Sequence, residues 1–253
     1  MRPLALASTL HDPTGAMTVL LAQTLPELVT LYGVMAVAVT EVTSAEVISL
    51  LNQYPQIRQI QGSRNVGESR LNALRCGLTF AELSHFHYCD FDRLVHWWLH
   101  FPEELKQTLA SVEQLHGYLA LGRTTHAFET HPVVQREAEY LTNRVFSWVL
   151  GEQTLVHDVV AGSCAMDRVS AEFLVQHSTE LSNATDCEWP MLIQHLAKKP
   201  LSFLQTEGLA FETPTFFGAQ VHQTSFNADN WLNRVRLAKD SIEAAMRVRK
   251  KVD

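Results

Sequence analysis

Short apolar runs alternate along the first half of the chain with longer segments in which apolar residues recur at helical spacing. The runs predict strands at residues 4–9, 34–39, 57–60 and 117–124, and a later run predicts another at 209–215. The longer segments predict helices at residues 17–32, 44–53, 102–114, 131–150 and 230–251, with Ser44 as an N-cap. Strands and helices that alternate with short connections favour an α/β fold, with a mainly parallel central sheet flanked by helices.

The segment 84–93 carries the strongest chemical signal of the sequence. It is an aromatic-rich stretch that predicts a strand and ends in Asp90 and Asp92, one residue apart, while His85 and His87 within it are interpreted as sheet residues. Ligands of open α/β sheets gather outside the carboxyl ends of the strands. Paired carboxylates at such an end suit a hard divalent cation that also carries phosphate oxygens. The pattern predicts a metal and phosphate site, and the alternative is an acidic pair in a solvated loop.

A polar loop that contains Gly67 precedes a helix whose Leu71, Leu74 and Leu78 fall on one face. The first turn of this helix is predicted to contain Arg70. Backbone N–H groups at a helix start and a guanidinium group can act on the same anion. The sequence therefore predicts that Arg70 contacts a diphosphate, and the alternative is an arginine on a solvated helix face.

These motifs resemble those of the Asp-x-Asp-containing nucleotide-sugar glycosyltransferases of the GT-A fold. The matching positions are Asn65, Gly67, Arg70, Asn72, Ala73 and Gly77, followed by Asp90 and Asp92. The resemblance implies one GT-A-like domain over residues 1–253. Within it, residues 3–125 would form a Rossmann-like nucleotide-binding half, residues 126–226 an acceptor and catalytic half, and residues 227–253 a C-terminal helix.

The resemblance also implies a set of donor-binding and metal-binding residues. Ser8, Thr9 and Leu10 would lie beside the base and ribose, and Gly162 would approach the donor sugar. Glu41 stands where the family carries an acidic residue after its second strand, although the common Asp-Asp-Gly-Ser is here Thr-Glu-Val-Thr, which leaves the base open. The cofactor would be Mn²⁺ or Mg²⁺, held by Asp90, Asp92 and His222. For Glu41 and His222 the alternatives are a solvated carboxylate and a surface or core histidine.

The segment that contains Asp186 and Glu188 is the candidate for catalytic chemistry. If the enzyme inverts, one of these carboxylates would accept the proton of the acceptor hydroxyl. The alternative is helix capping by Thr185 or Asp186 at the start of a helix over residues 189–196, and Glu188 is the preferred base because Asp186 is the better cap. Further upstream, Asp158 and Arg168 are interpreted as either site residues or a structural ion pair.

Composition sets broader limits. The chain has 253 residues, 46% of them hydrophobic, and a net charge of −7, which argues against a nucleic-acid surface. Its four cysteines form no close pair, as is typical of reduced thiols in a cytosol. No apolar run predicts a transmembrane segment. A cytoplasmic protein is predicted, and peripheral membrane binding and homo-oligomer formation are left open.

Three functions remain in competition. The first is a metal-dependent glycosyltransferase that moves a sugar from a nucleotide-diphosphate donor to a small-molecule, glycan or lipid-linked acceptor. The second is a nucleotidyltransferase of related fold, although the loop over residues 8–15 lacks the Arg or Lys that such enzymes place after their first strand. The third is a nucleotide-sugar-binding protein without turnover.

Overall fold

A computed structural model describes residues 2–218 and 227–251. The described part of the chain contains seven strands that form one sheet. They are β1 (Leu4–Leu10), β2 (Val34–Val39), β3 (Ile57–Gln61), β4 (His85–Cys89), β5 (Tyr118–Arg123), β6 (Ser163–Asp167) and β7 (Leu201–Thr206). The predicted α/β class is confirmed.

Helices connect most of these strands and lie on both faces of the sheet. Those before β5 are α1 (Thr18–Leu28), α2 (Ala45–Leu51), α3 (Val66–Leu78), α4 (Phe91–His100) and α5 (Pro102–Val112). Those after it are α6 (Thr125–Glu129), α7 (Val133–Leu150), α8 (Arg168–His177), α9 (Thr185–Met191), α10 (Thr213–Phe217) and α11 (Ala228–Arg249).

The strand order is β3-β2-β1-β4-β6-β5-β7. Neighbouring strands run parallel except at β6, which is antiparallel to both β4 and β5. The chain moves outward from β1 to β3 on one side and resumes with β4 on the other side of β1. This change of direction between β1 and β4 is the place where open α/β sheets bind ligands, beyond the carboxyl ends of the strands.

Two apolar cores cover the two faces of the sheet. Alternation along β1 sends Leu4 and Leu6 to one core and Ala5 and Ala7 to the other, as the two-residue period of a strand requires. All six residues of β2 are buried. Such double burial explains why this strand appears in the sequence as an unbroken apolar run.

Most predicted element positions are confirmed to within a few residues. Ser44 caps α2, since its side chain accepts a hydrogen bond from the Val47 N–H. His87 is a sheet residue, buried between the Tyr32 hydroxyl and the Ser163 hydroxyl. Burial lowers its pKa to about 3, so the ring is neutral over the physiological range.

Two predicted elements are wrong, and a proline explains part of each difference. Residues 209–215 form no strand, because Pro214 lies in the first turn of the short helix α10 and lacks the N–H that a ladder needs. The predicted helix over residues 189–196 begins earlier, at Thr185. Its second half widens into a π-helical turn, Leu192–Leu196, two residues after Pro190, whose missing N–H leaves a gap in the hydrogen-bond ladder.

The C-terminal helix α11 packs against α7 and α9. Its buried face contains Ala238, Ser241, Ala245 and Val248, whereas Val235 is 56% exposed. Among the described residues, no helix has the length and apolar character needed to cross a bilayer. The four cysteines are unpaired.

Candidate functional site

A cavity of about 590 Å³ lies beyond the carboxyl ends of β1, β2, β3 and β4. Its walls come from the loops that follow these strands. Thr9 and Leu10 end β1, Thr40 and Glu41 follow β2, and Gly62, Ser63 and Arg64 follow β3. Asp90, Asp92 and Arg70 close its inner end. We call this space the nucleotide cavity, because its position is that of a nucleotide site in open α/β sheets.

The carboxylate of Asp90 is held by the strands beneath it. Asp90 occupies the N-cap position of α4, directly after β4, but its side chain makes no capping bond. Instead it accepts hydrogen bonds from the Tyr88 hydroxyl and, at 3.2 Å, from the Thr9 hydroxyl. The guanidinium groups of Arg70 and Arg93 each lie 3.7 Å from it. Asp90 is therefore a fixed, charge-compensated carboxylate.

Asp92 lies in a more acidic environment. It is in the first turn of α4, where its carboxylate accepts a hydrogen bond from the Arg93 N–H at 2.8 Å. Burial, and then the nearby charges of Glu212 and Asp90, raise the pKa of Asp92 to about 7. Glu212 contributes a buried Oε2 that has no hydrogen-bond partner among the described residues. Carboxylates crowded in this way are relieved by a positive charge.

Arg70 joins this carboxylate pair to the second half of the chain. It is the fifth residue of α3 and thus lies beyond the predicted first turn, and it is only 3% exposed, which excludes the solvated helix face. Its guanidinium group stacks over the Tyr88 ring at 4.9 Å and donates hydrogen bonds to Thr185 and Asp186. Arg70 therefore bridges Asp90 and Asp186.

The start of α3 serves a different purpose from the predicted one. The Gly67 N–H donates to the Leu181 carbonyl at 2.8 Å and so is not free for an anion. A Cβ at Gly67 would come within 2.7 Å of the Glu180 carbonyl oxygen, closer than real Cβ contacts allow. The glycine thus lets residues 180–182 dock on the helix, which places Asn183 at the wall of the nucleotide cavity.

The residues predicted to contact base and ribose divide into two groups. Thr9, Leu10 and Glu41 line the nucleotide cavity. Ser8 does not, because it is fully buried and its hydroxyl donates to the Cys89 carbonyl, tying β1 to β4. Both Glu41 and Arg64 have mostly exposed side chains, and the Arg64 guanidinium lies 3.8 Å from the Glu41 carboxylate.

A second, smaller cavity of about 110 Å³ adjoins the first. The two share Arg70, Asp90 and Asn183. Gly162 lines the second cavity, and a Cβ there would lie 2.5 Å from the Asp90 carboxylate. The predicted close approach of Gly162 is therefore made toward Asp90, and the backbone angle φ of +69° also favours glycine.

The two candidate bases lie in different surroundings. Asp186 lines the second cavity, and burial, opposed by Arg70, raises its pKa to about 6. Glu188 lines neither cavity. Its carboxylate is buried and accepts hydrogen bonds from Ser178, Thr179 and Glu180. The preference for Glu188 is therefore not kept. Capping by Asp186 is not found either, because α9 has Ala184 at its N-cap and no side-chain capping bond.

A buried ion-pair network supports the loop that carries Gly162. Asp158 accepts two hydrogen bonds from the Arg123 guanidinium group, of 2.7 and 2.9 Å, a third from the Arg123 N–H at 2.9 Å and a fourth from Asn143. Although burial acts to raise it, Arg123 holds the pKa of Asp158 below its usual value. Arg123 also pairs with Glu139 at 2.7 Å. The interpretation of Asp158 and Arg168 as an ion pair is wrong, because Arg168 binds Glu172 and backbone carbonyls instead.

The fit of a metal ion is tested by the donor set. In residues 2–218 and 227–251, no group of three or more His, Cys, Asp or Glu side chains is placed to hold a metal. Asp92, Glu212 and Asp90 nevertheless offer hard carboxylate oxygens, and one of these, the Glu212 Oε2, is buried without a partner. Such a partial set suits a cation whose remaining ligands are phosphate oxygens. His222 lies outside the described residues.

Several residues of this site carried no signal in the sequence. Glu212 follows β7, and Arg234 and Ser241 lie in α11, so these three are far along the chain from the Asp-x-Asp segment. Asn183 precedes the segment that contains Asp186 and Glu188. Arg93 directly follows Asp92 in the sequence. Its closeness to the two aspartates along the chain is the signal by which the sequence could have predicted it as a site residue.

Comparisons with known proteins identify no family. No family model matches the chain, and no curated protein matches it either. Among solved structures, it is similar to the 4-diphosphocytidyl-2C-methyl-D-erythritol synthase from Anaerococcus prevotii DSM 20548, with 9% sequence identity and a TM-score of 0.48, over 93% of this chain and 98% of that one. Nothing about activity follows from a likeness at that level. The glycosyltransferase resemblance gains no support from these comparisons.

Proposed function

We propose that this chain is a transferase that acts on a nucleotide substrate. The observation that carries the proposal is the nucleotide cavity at the carboxyl ends of β1–β4, which ends at Asp90 and Asp92. The base and ribose would lie near Thr9, Leu10 and Glu41, and the phosphates would face the two aspartates. A ligand site at this edge of the sheet, with carboxylates at its inner end, suits a substrate that brings its own metal-bound phosphates.

A divalent cation, Mn²⁺ or Mg²⁺, would be held by Asp90 and Asp92, with Glu212 as a further carboxylate in the same environment. Bound there, it would neutralise phosphate charge and polarise the bond that breaks. Arg70 and Arg93 keep positive charge beside Asp90. His222 as an additional ligand stays a prediction from the resemblance.

Glycosyl transfer to a hydroxyl acceptor is one reaction that this site can support. Asp186 faces the second cavity with a pKa of about 6, near the range that suits a general base. In the loop between β1 and α1, two backbone amides are already engaged. There the Asp12 carboxylate accepts hydrogen bonds from the Ala16 and Met17 N–H groups, at 3.0 and 2.8 Å. These are amides that an anion would otherwise use.

Nucleotidyl transfer from a nucleoside triphosphate is the second candidate. Guanidinium groups are spread along the whole site, since Arg64 lines the nucleotide cavity at the loop after β3 and Arg70 lines its inner end. A triphosphate carries more negative charge than a diphosphate, so both Arg64 and Arg70 would contribute to binding it. The two reactions release different products, namely pyrophosphate in nucleotidyl transfer and a nucleoside diphosphate in glycosyl transfer.

The test is a thermal-shift screen of UDP, GDP, CDP and ADP, each with and without Mn²⁺ or Mg²⁺. A ligand that binds only the folded state stabilises it by mass action, by about 2.7 kcal/mol at a hundred times its Kd. We expect Asp92→Ala to abolish the metal-dependent shift. Asp240→Ala, which removes a half-exposed aspartate that lines neither cavity, is the matched control and should keep it.

Undiminished metal-dependent binding by Asp92→Ala would contradict the proposed site. Product analysis then separates the reactions. Release of pyrophosphate from a triphosphate and a sugar phosphate supports nucleotidyl transfer, and release of the diphosphate from a nucleotide-sugar supports glycosyl transfer. Binding without either product would leave a nucleotide-binding protein that has no turnover.

A further inference from the structure

We propose that the second cavity binds a small, uncharged, hydroxylated group, such as a sugar ring attached to the nucleotide, and that Asn183 and Ser241 recognise it. The inference rests on the proposed function and adds the chemistry of the group next to the phosphates. It also makes α11 part of the substrate site, because Ser241 belongs to that helix.

The position of the second cavity fits a group that continues from the nucleotide. It shares Arg70, Asp90 and Asn183 with the nucleotide cavity, so a ligand can extend from one space into the other. The volumes, about 590 Å³ and about 110 Å³, allow the bulk of a substrate in the first and only one small end of it in the second.

The charges on the wall of the second cavity compensate one another. Arg70 is paired with Asp186, the Arg93 guanidinium lies 3.7 Å from Asp90, and the Arg234 guanidinium lies 3.6 Å from Glu139. A phosphate or carboxylate bound here would meet three carboxylates whose partners are already engaged. An uncharged group avoids this repulsion, and also the cost of removing an ionic ligand from water.

Two wall residues offer hydrogen-bonding groups that the protein does not use. The described part of the chain gives neither the Asn183 carboxamide nor the Ser241 hydroxyl a side-chain partner, although Ser241 is only 5% exposed. The Nε of Arg70, which lines the same cavity, is buried without a partner as well. A carboxamide and a hydroxyl each donate and accept, as the hydroxyl groups of a sugar do.

The backbone holds both residues in place. Gly67 lets residues 180–182 dock on α3 and thereby fixes the loop that carries Asn183. Ser241 lies on the buried face of α11, between Ala238 and Ala245. The small side chains on this face keep α11 close to α7 and α9 and leave the serine hydroxyl open to the cavity.

The experiment compares each nucleoside diphosphate with its sugar conjugate by titration calorimetry in the presence of Mn²⁺. The ligand pairs are UDP with UDP-glucose, UDP-galactose and UDP-N-acetylglucosamine, and GDP with GDP-mannose. The measured quantity is the ratio of the two affinities within a pair, which reports the gain from the sugar. In the parent protein, at least one sugar should raise the affinity.

We expect Asn183→Ala and Ser241→Ala each to reduce that gain by roughly 2- to 13-fold, the range for one neutral hydrogen bond. Affinity for the bare diphosphate should not change in Ser241→Ala, because Ser241 lines the second cavity and not the nucleotide cavity. For Asn183→Ala, which alters both walls, the measured quantity is the ratio of the two affinities alone. Ser170→Ala is the matched control, since Ser170 is also a buried helical serine whose hydroxyl has no partner among the described residues, but it lines neither cavity. It should leave both affinities at the parental level.

Three results would overturn the inference while leaving the proposed function intact. The first is a parent that binds a diphosphate but gains nothing from any sugar. The second is that both variants keep the full gain. The third is that Ser241→Ala loses diphosphate affinity to the same extent as it loses affinity for the sugar conjugate. The last result would mean that Ser241 supports the nucleotide cavity as a whole. A parent that binds no diphosphate would instead contradict the proposed function.

Discussion

The carboxylate of Asp186 is placed where both its charge and its proton affinity are useful. Arg70 binds it and keeps it oriented, while burial raises its pKa to about 6. At neutral pH the group is therefore mostly ionised, yet it binds a proton more readily than an exposed aspartate does. A general base works best when its pKa lies near the pH of the reaction.

This placement gives a prediction about pH. If the chain transfers a glycosyl group with inversion, its rate should rise as the pH increases through about 6, because the base must be ionised. Asp186→Asn should lower the rate by about 10²–10⁴-fold and remove that rise. The measurement is the pH profile of turnover with the donor found in the nucleotide screen.

Glu188→Gln is the control for this prediction. The Glu188 carboxylate binds residues 178–180 and lines neither cavity. Its replacement should therefore lower the melting temperature while leaving the pH profile in place. If Asp186→Asn keeps the parental rate, Asp186 is not the general base. If Glu188→Gln loses the rise of the rate with pH, Glu188 is the general base instead.

At the scale of the elements, the contact between α3 and the loop before α9 determines the geometry of the site. Gly67 has no side chain to separate them, and its N–H donates to the Leu181 carbonyl. The same contact brings Arg70 within hydrogen-bonding distance of Thr185 and Asp186. Helix α3 and the start of α9 thus form one wall, although Arg70 and Thr185 are 115 residues apart in sequence.

Gly67→Ala tests this contact. The added Cβ would meet backbone atoms of residues 180–182 at 2.7–2.8 Å, and backbone cannot move aside as easily as a side chain. We expect a loss of about 1–3 kcal/mol in the free energy of unfolding, the usual cost of overpacking, together with weaker nucleotide binding.

Gly77→Ala, in the same helix, is the comparison, because its Cβ would meet the Phe86 ring edge at 2.9 Å, which is a side-chain contact. Chemical denaturation of both variants measures the difference. A cost for Gly67→Ala no greater than that for Gly77→Ala would show that the loop docks without needing the glycine.

The sequence largely predicts the strands and helices themselves, whereas it does not predict which of them come into contact. Apolar runs placed β1 and β2 well, since double burial makes a strand visible as a continuous run. Periodicity could not show that Pro190 would widen a helix or that Glu188 would be bound by the loop before it. Asp90 is predictable as a site residue because it follows its strand directly in the sequence. Glu212 and Ser241 depend on where β7 and α11 come to lie in space.

For the molecule as a whole, the site is assembled from both halves of the chain. Asp90 and Asp92 come from the first half, while Gly162, Asp186 and Ser241 come from the second. The ion pairs among Arg123, Asp158 and Glu139 join the end of β5 to the loop before β6 and to α7. Breaking one partner of such a buried network typically costs about 3–5 kcal/mol, so the loop that carries Gly162 is firmly held.

The place of β6 in the sheet has a consequence for how the chain is synthesised. β5 leaves the ribosome before β6, yet among the described strands its partners are β6 and β7, and β6 itself pairs with β4. Until residues 163–167 emerge, β5 has no neighbour in the sheet and β4 presents an open edge, the kind of surface that invites aggregation. A fragment of residues 1–125 should therefore be insoluble when it is expressed alone. Co-expression with a fragment of residues 126–253 should make it soluble, and sedimentation of the lysate measures the soluble fraction in each case. Independent solubility of the fragment would mean that nascent β4 is protected in some other way.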